Sequence, residues 1–311
     1  MAIDSNRWGI LYCPRNMMSG SRKYRLKLER LLEDRHVAYD LVQSESADSV
    51  SRLMLMLVNN GYKTIVIVGG DSAFNDAVNS LMTVDKACRD GIAVGLIPHG
   101  MVNDFAKFWG CREKEMARTV DALVSHRVRR IDLGCLRYTD KKGDVCRRYF
   151  VNCVNIGLIA DIMNLRRQTR KLLGSRTLSF LVSALLLIFH RMEYKIDMRI
   201  NDEKLQRKVM NVCVGSGPGY GQTPNAVPYN GLLDVTVVSH PEIWQLFEGF
   251  WLLFSGRFLN HRSVRPYRTH HVKVVSAPHA MIGVDGRLLG IPRGEYEITI
   301  ELEEINFLIP A

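Results

Sequence analysis

Two short loops in this chain combine glycine with carboxylate and amide side chains. In the first, an apolar run, Thr64-Ile65-Val66-Ile67-Val68, ends in Gly69-Gly70-Asp71, and Phe74, Ala77, Val78 and Leu81 then recur at helical spacing. A strand, a glycine turn and a helix start make an anion site, because the first helical turn presents N–H groups without intrahelical partners. Asp71 would repel a bare phosphate, so its position points to a metal ion or a proton-accepting role; the alternative is a helix N-cap. Ser72 keeps a hydroxyl donor but disfavours backbone angles that glycine alone adopts easily, and Ala73 has no donor. In the second loop, Pro98-His99-Gly100-Met101-Val102-Asn103-Asp104, an amide and a carboxylate precede the packing face Phe105, Ala106 and Phe108. That pair belongs either to a nucleotide or metal network or to an Asx turn capping the next helix. His99 reads as an exposed residue without a role. Far downstream, Val284-Asp285-Gly286 has the composition of an ordinary hairpin turn.

The elements that must position these loops follow from the apolar pattern. Trp8 to Tyr12, His36 to Val42, Thr64 to Val68 and Ile92 to Pro98 are strand-like, and basic or amphipathic helical stretches (Arg22 to Arg35, Ser46 to Asn60) lie between them. Apolar strands alternating with helices indicate a parallel sheet covered on its faces. Ligands of such sheets lie beyond the carboxyl ends of the strands, where both loops sit. From Arg130 the rhythm changes to strand-like segments at Arg130 to Tyr138, Arg147 to Asn155, Tyr194 to Ile200, Lys208 to Gly215, Leu232 to Ser239, His271 to Ser276, Met281 to Val284 and Glu295 to Glu301. Polar or Gly/Pro turns separate them, which suggests a largely antiparallel β domain. Two helical insertions interrupt it, Asn164 to Arg191 and Glu242 to Leu259.

Bulk properties narrow the function classes. A formal charge of +10 over 311 residues favours an anionic partner: a nucleotide, a nucleic acid or a membrane surface. The seven cysteines are widely spaced without a C-x-x-C pair, and the start lacks the order of a secretion signal, so reduced thiols in the cytoplasm are expected. The most apolar run, Leu178 to Phe189, is well short of the roughly 20 residues of a spanning helix. No helix-turn-helix, zinc-finger or RNA-binding signature supports a nucleic-acid partner.

Taken in order, the motifs resemble those of the bacterial diacylglycerol kinase and sphingosine kinase superfamily of lipid kinases. VGGDSAFNDAVNSL is similar to its nucleotide loop, usually Gly-Gly-Asp-Gly-Thr followed by Asn-Glu. GLIPHGMVNDFAKFWG is similar to a second loop ending Gly-Thr-Gly-Asn-Asp-Phe-Ala, and VNIGLIAD to a glycine-containing strand end. Residues 215 to 238 resemble its glycine-rich hairpin, and VDGRLLG its Asp-Gly-Glu turn. Ser72-Ala73 and Met101-Val102 replace Gly-Thr and Thr-Gly pairs, Asp76 and Arg287 replace glutamates, and Asn230 replaces the aspartate of a structural magnesium site. Losing one donor to a phosphate costs about 1.5–3 kcal/mol, so the first loop is expected to bind nucleotide more weakly.

The resemblance implies an N-terminal doubly wound, Rossmann-like and NAD-kinase-like α/β domain over 1–129, rejoined by 303–311. A C-terminal antiparallel β-sandwich domain over 130–302 would hold the lipid. It implies ATP bound by Gly69, Gly70, Asp71, Ser72, Ala73, Asn75, Gly100, Met101, Asn103 and Asp104, with magnesium as cofactor. Asp285 would be the general base for a lipid hydroxyl, in diacylglycerol, a sphingoid base or a related alcohol. The carbonyls of Val227 and Leu232 with the Asn230 side chain would hold a structural magnesium, with Asp234 either adding charge or serving its strand. An NAD kinase shares the Gly-Gly-Asp start, but the second loop and the hairpin are closer to lipid kinases. A second reading is a lipid-binding or regulatory protein on the same scaffold. The altered Gly-Thr pairs, Asn230 and Arg287 favour it, and the retained Asp71, Asn103, Asp104 and Asp285 oppose it.

Two segments suit a lipid. Arg166, Arg167, Arg170, Lys171 and Arg176 precede the apolar run, and Trp244, Leu246, Phe247, Phe250, Trp251, Leu253 and Phe254 crowd the second insertion. A core-facing stripe is one explanation; interfacial contact with anionic membrane is the other. Peripheral membrane association is therefore expected, and a homodimer is compatible with all of these features.

Overall fold

The computed structural model describes residues 6–14, 19–100, 102–173, 182, 193–240, 242, 245, 248–249, 251–252 and 255–310. The chain divides into two compact units, residues 1–133 with 302–311, and residues 134–301.

The first unit runs β1 (Trp8–Tyr12), α1 (Ser19–Asp34), β2 (Tyr39–Gln43), α2 (Ala47–Asn59), β3 (Thr64–Gly69), α3 (Asp71–Leu81), α4 (Lys86–Arg89), β4 (Ala93–Pro98), α5 (Asp104–Phe108), α6 (Met116–Val124) and the start of β5 (Arg127–Thr139). Its strands pair in parallel in the order β2-β1-β3-β4, and Asn306 and Phe307 of the chain's last strand add a parallel neighbour to β4. Strands β1, β3 and β4 are buried along their whole length, which is what continuous apolar runs require between two helical layers. Ile10 and Val66 pack with Leu28 and Leu32 of α1 and with Val120 and Leu123 of α6. On the opposite face, a side chain at Gly9 would stand 3.0 Å from Leu57 of α2, so glycine lets that helix approach the sheet closely. Successive residues of β1 thus address helices on opposite faces, as the period of a strand dictates. The second strand begins at Tyr39 rather than His36, because His36 takes a left-handed backbone (φ 54).

The second unit continues with β6 (Val145–Phe150), β7 (Cys153–Gly157), α7 (Leu158–Leu173), β8 (Tyr194–Ile200), β9 (Glu203–Val209), β10 (Asn211–Gly215), β11 (Leu233–Val238), β12 (Val264–Thr269), β13 (His271–Ser276), β14 (Ile282–Val284), β15 (Arg287–Gly290) and β16 (Arg293–Ile309). One antiparallel sheet has the order β12-β11-β10-β7-β14-β15; β16, β13, β8 and β9 pair antiparallel in a second. Val154, Val212 and Val235 of the first share one core with Ile196, Val272 and Ile298 of the second, the inner faces of a sandwich.

The expected single strand Arg147 to Asn155 is two strands, broken at Val151 and Asn152. Residues 203–209, 264–269 and 287–290 form strands that the apolar pattern did not reveal. The expected insertion at Asn164 begins earlier, at Leu158, directly after Gly157 (φ 103). Only glycine fits there, since a Cβ would stand 2.9 Å from the Met210 carbonyl. The run Leu178 to Phe189 and much of Glu242 to Leu259 lie outside the described residues.

Candidate functional site

The two glycine loops leave neighbouring strands at paired positions, Gly69 opposite Pro98, and the His99 N–H donates to the Gly69 carbonyl at 2.8 Å. Their backbones then nearly touch. A Cβ on Gly100 would lie 2.5 Å from the Gly70 Cα and 2.5 Å from Asn103 Oδ1. Gly70 itself is extended (φ −96, ψ 177), so crowding rather than a left-handed angle demands glycine at this crossing.

Asp71 opens α3 but does not cap it; Gly70 is the N-cap, with no side-chain bond. Its carboxylate instead accepts the N–H groups of Asp104 (2.9 Å) and Phe105 (3.3 Å), capping α5. The N-cap alternative is thus realised on a different helix, and one carboxylate ties the loops together. Ser72 lies inside α3 and is absent from the left-handed residues, so serine carries no backbone strain there, contrary to the expectation from glycine. The Ala73 N–H donates to the Gly70 carbonyl at 3.0 Å. Asn75 is fully buried and accepts from Asn79 Nδ2 at 3.2 Å, so it is not brought to the loop surface. Met101 lies outside the described residues.

Asn103 adopts a left-handed backbone (φ 55), and its Nδ2 donates to the Gly100 carbonyl at 3.0 Å. It is 7% exposed, and its Oδ1 has no hydrogen-bond partner. The Asx-cap alternative is not realised, since Asn103 makes no side-chain cap bond to α5 and its Oδ1 is left without a donor. Asp104, partly buried, accepts from Lys107 Nζ at 3.3 Å. His99 is not exposed as expected. It is 7% exposed, stacked on Tyr24 with ring centroids 3.9 Å apart, and its Nδ1 lies 2.9 Å from Glu113 Oε1.

In the second unit, Asp285 and Gly286 both have positive φ (42 and 83), the conformation of a tight two-residue hairpin between β14 and β15. The Asp285 carboxylate fills the break between β6 and β7. It accepts N–H groups from Val151 (2.7 Å), Asn152 (3.1 and 3.3 Å) and Cys153 (2.8 Å), and the residue is 2% exposed. The general-base expectation does not fit this geometry. Three backbone donors converge on the lone pairs that a base would use, and the solvent-excluded carboxyl cannot meet a substrate hydroxyl without breaking them.

The hairpin expected to hold metal fits magnesium poorly. The Val227 carbonyl already accepts the N–H groups of Tyr229 (2.8 Å) and Asn230 (3.4 Å), and the Oδ1 of exposed Asn230 accepts the Leu232 N–H at 3.0 Å. Only neutral oxygens remain, whereas a hard dication seeks carboxylates. Asp234 does not compensate: it pairs with Arg268 Nε at 2.7 Å directly across the β11–β12 ladder.

Asp161 is a residue that sequence reasoning quoted, within VNIGLIAD, without giving it a role. It sits in the first turn of α7, where burial pushes its carboxyl up to about 6, and the Tyr194 hydroxyl donates to it. The raised carboxyl stands out against an asparagine and glutamine network beneath the glycine-rich hairpin, in which Asn211 Nδ2 donates to Asn155 Oδ1 (3.1 Å) and Gln222 Oε1 (2.9 Å). Of the basic cluster on α7, Arg166 is half-buried, and the side chains of Arg167, Arg170 and Lys171 lie outside the described residues. Among the aromatic residues of the second insertion, Trp251 is exposed.

Two family models match the chain, the diacylglycerol kinase catalytic domain over residues 11–136 and the YegS C-terminal NAD kinase beta sandwich-like domain over 152–299. The diacylglycerol kinase of Bacillus subtilis (strain 168) is 20% identical over 240 residues, covering 76% of this chain and 74% of that protein. A protein of Chromohalobacter salexigens, named for a YegS-like lipid kinase, is 30% identical over 216 residues, covering 68% of this chain and 65% of its own. A crystal structure of a diacylglycerol kinase from Bacillus anthracis str. Sterne superposes with a TM-score of 0.67 at 12% identity, covering 98% of this chain and 97% of that one. Yeast NADH kinase complexed with NADH superposes with a TM-score of 0.52 at 11% identity over 96% of this chain and 82% of that one, a likeness of fold.

Proposed function

We infer the activity from one premise: the chain belongs to the diacylglycerol kinase and YegS family of lipid kinases. The reading we favour is transfer of the γ-phosphoryl group of ATP, with magnesium, to the hydroxyl of a membrane lipid. Diacylglycerol is the first acceptor to test, because the Bacillus subtilis relative is named for it. The observation that carries this reading is the crossing of Gly70 and Gly100, locked by the Asp71 carboxylate on the Asp104 and Phe105 amides. It keeps two loops at the carboxyl ends of adjacent parallel strands, the place where such sheets hold phosphates.

The loop carboxylates of Asp71 and Asp104 are the oxygens that fit a magnesium ion arriving with the nucleotide. That ion would neutralise charge on the β- and γ-phosphates. Asn103 Oδ1 accepts a nucleotide donor, which ends its lack of a partner. For the proton of the lipid hydroxyl we replace Asp285 by Asp161. A carboxyl raised towards neutrality by burial suits a base working near pH 7, and its Tyr194 partner fixes its orientation. Asp285 then serves the hairpin. No helix among the described residues is long and apolar enough to cross a membrane. Contact with the lipid surface is therefore proposed as peripheral, through the basic residues of α7 and the aromatic second insertion, from the cytoplasmic side.

A second reading, lipid binding without transfer, is favoured by the occupied Asp285 and by the neutral oxygens of the Val227–Leu232 turn. The two readings separate in one experiment: Asp161→Asn abolishes lipid phosphorylation under the first, whereas under the second the unmodified chain already has none.

A further inference from the structure

The glycine-rich hairpin between β10 and β11 suits a metal poorly, but it sends one long polar side chain inward within the second unit. Gln222 is buried, and it meets two buried asparagines, Asn155 of β7 and Asn211 of β10. Every oxygen and nitrogen of the three side-chain amides is bonded. The Ile159 N–H donates to Asn211 Oδ1 at 3.2 Å, which fixes the orientation of that amide, since a backbone N–H needs an acceptor. Asn211 Nδ2 therefore faces Asn155 Oδ1 (3.1 Å) and Gln222 Oε1 (2.9 Å). Gln222 Nε2 donates to Asn155 Oδ1 at 3.3 Å, and Asn155 Nδ2 donates to Cys153 Sγ at 3.2 Å. The hairpin around Gln222 is itself tied down. Thr236 Oγ1 donates to the Gln222 carbonyl at 2.7 Å, and Thr223 Oγ1 bridges the Gly219 N–H and the Gly217 carbonyl (3.1 and 3.0 Å).

The network ends on the helix that carries Asp161. Helix α7 starts at Leu158, directly after Gly157, a residue with no side chain to cap it, so its first N–H groups need acceptors from elsewhere. The Met210 carbonyl takes that of Leu158 at 3.1 Å, and the Asn211 side chain takes that of Ile159. Asp161 stands on this same turn, with the Tyr194 hydroxyl on its carboxyl. Stability alone does not require three amides here, because bonded polar partners can be replaced together by apolar groups of the same shape at little cost. What a fully satisfied network adds is rigidity, and in this case rigidity without charge. A lysine or a carboxylate among the three would move the proton affinity of Asp161; neutral amides hold its turn and leave that affinity to burial.

We propose that Gln222, Asn155 and Asn211 are positioning residues for the Asp161 carboxyl, through which the glycine-rich hairpin sets the geometry of proton transfer from the lipid hydroxyl. The bonds run from the hairpin through Gln222 to Asn211, from Asn211 to the Ile159 N–H, and along one helical turn to Asp161. None of the three amides touches the proton; each acts on it through the turn. The assignment rests on the reading of Asp161 as the base, but the coupling between hairpin and carboxyl is measurable without turnover.

The decisive variant is Gln222→Met, close to the parent in volume and without its two polar atoms. In it Asn155 and Asn211 still satisfy each other and the Ile159 cap remains, so a purely structural role predicts a small loss of stability and nothing else. Two readouts are taken on the full chain. With isotope-labelled aspartate carboxyls, the Asp161 resonance, assigned by its loss in Asp161→Asn, is titrated by NMR. Its midpoint is expected to fall by about half a unit or more as the loosened turn admits water. With ATP, magnesium and diacylglycerol in mixed micelles, kcat is expected to fall about tenfold or more while KM for the lipid changes about threefold or less. Asn211→Leu, which removes the Ile159 cap itself, is expected to give the larger effect in both readouts; if it does not fold, Gln222→Met still decides. The proposal is overturned if Gln222→Met titrates Asp161 at the parent's midpoint, or if the midpoint moves while kcat and KM stay as in the parent. It is equally overturned if KM rises while kcat holds, because the network would then serve binding rather than positioning. A parent chain that phosphorylates no lipid would remove the reading of Asp161 as the base, and the titration alone would then decide the coupling.

Discussion

Asp285→Asn keeps the size of the side chain and alters only what its two terminal atoms offer. In the parent, both oxygens accept, and three consecutive backbone N–H groups at Val151, Asn152 and Cys153 point at them from 2.7 to 3.3 Å. An amide presents one oxygen and one NH2 group, so at least one backbone donor faces another donor and is left buried and unsatisfied. Such a group costs about 1–3 kcal/mol, and the remaining bonds lose the charge that made them roughly twice as strong as neutral ones. Together this amounts to about 2–4 kcal/mol. For a unit of this size each kcal/mol moves the melting temperature by roughly 2–4 °C, so a fall of roughly 4–16 °C is expected. Thermal and urea unfolding followed by tryptophan fluorescence would measure it, beside lipid phosphorylation well below the melting point. The reasoning is refuted if the variant melts within about a degree of the parent while turnover drops the 10²–10⁴-fold typical of a missing base. Asp285 would then be catalytic despite its bonds.

Three further outcomes follow from the same geometry. Asp161 has a folded-state pKa raised above its ordinary value to about 6. Its contribution to stability is full below about pH 3.8 and is lost as pH rises through 6. Asp161→Asn should therefore be more stable than the parent at pH 8, by about 1 kcal/mol after solvent screening, and indistinguishable at pH 4; equal melting curves at pH 8 would contradict the raised carboxyl. Gly100→Ala places a Cβ 2.5 Å from the Gly70 Cα, so overpacking of about 1–3 kcal/mol and at least tenfold weaker ATP-analogue binding are expected by calorimetry; unchanged binding would mean that the loops do not cross so closely. Replacing Ser72-Ala73 by Gly-Thr should tighten ATP binding by up to about tenfold, roughly 1.4 kcal/mol, with Ala73→Thr alone giving most of it because Ser72 is unstrained. A gain carried by Ser72→Gly alone would contradict the helical position of that residue.

What the sequence disclosed depends on the range of the interaction involved. Strands β1, β3 and β4 were legible because each is a continuous apolar run, and the two loops were legible as strand ends with glycine and carboxylate. Strand β9, EKLQRKV, escaped because only Leu205 and Val209 are buried, too few to make an alternating pattern conspicuous. Strand β12 carries a proline and two arginines, and β15 has four partly buried residues, so neither shows a one-sided apolar face. The Asp-Gly composition foretold the Asp285 hairpin, but nothing local to residues 284–286 shows that its carboxylate would enter a strand break more than 130 residues away. That break divided the strand expected over Arg147 to Asn155. His99 is a similar case: its burial is set by Tyr24 and Glu113 from other elements. The N-cap alternative for Asp71 named its own helix, because sequence offers only the nearest helix as a partner, whereas the carboxylate caps α5. Asp161 became conspicuous only through its burial beside Tyr194.

The central claim is that this chain moves phosphate from ATP to a lipid hydroxyl. Its most direct test is incubation of the purified full chain with γ-labelled ATP, magnesium and mixed micelles containing diacylglycerol, a sphingoid base or another long-chain alcohol, followed by lipid extraction. The account predicts a labelled lipid phosphate that requires magnesium, disappears in Asp161→Asn, and persists at reduced protein stability in Asp285→Asn. The contradicting result is an extract without labelled lipid from a folded chain that binds both ATP and the lipid, which would leave a lipid-binding protein on a kinase scaffold.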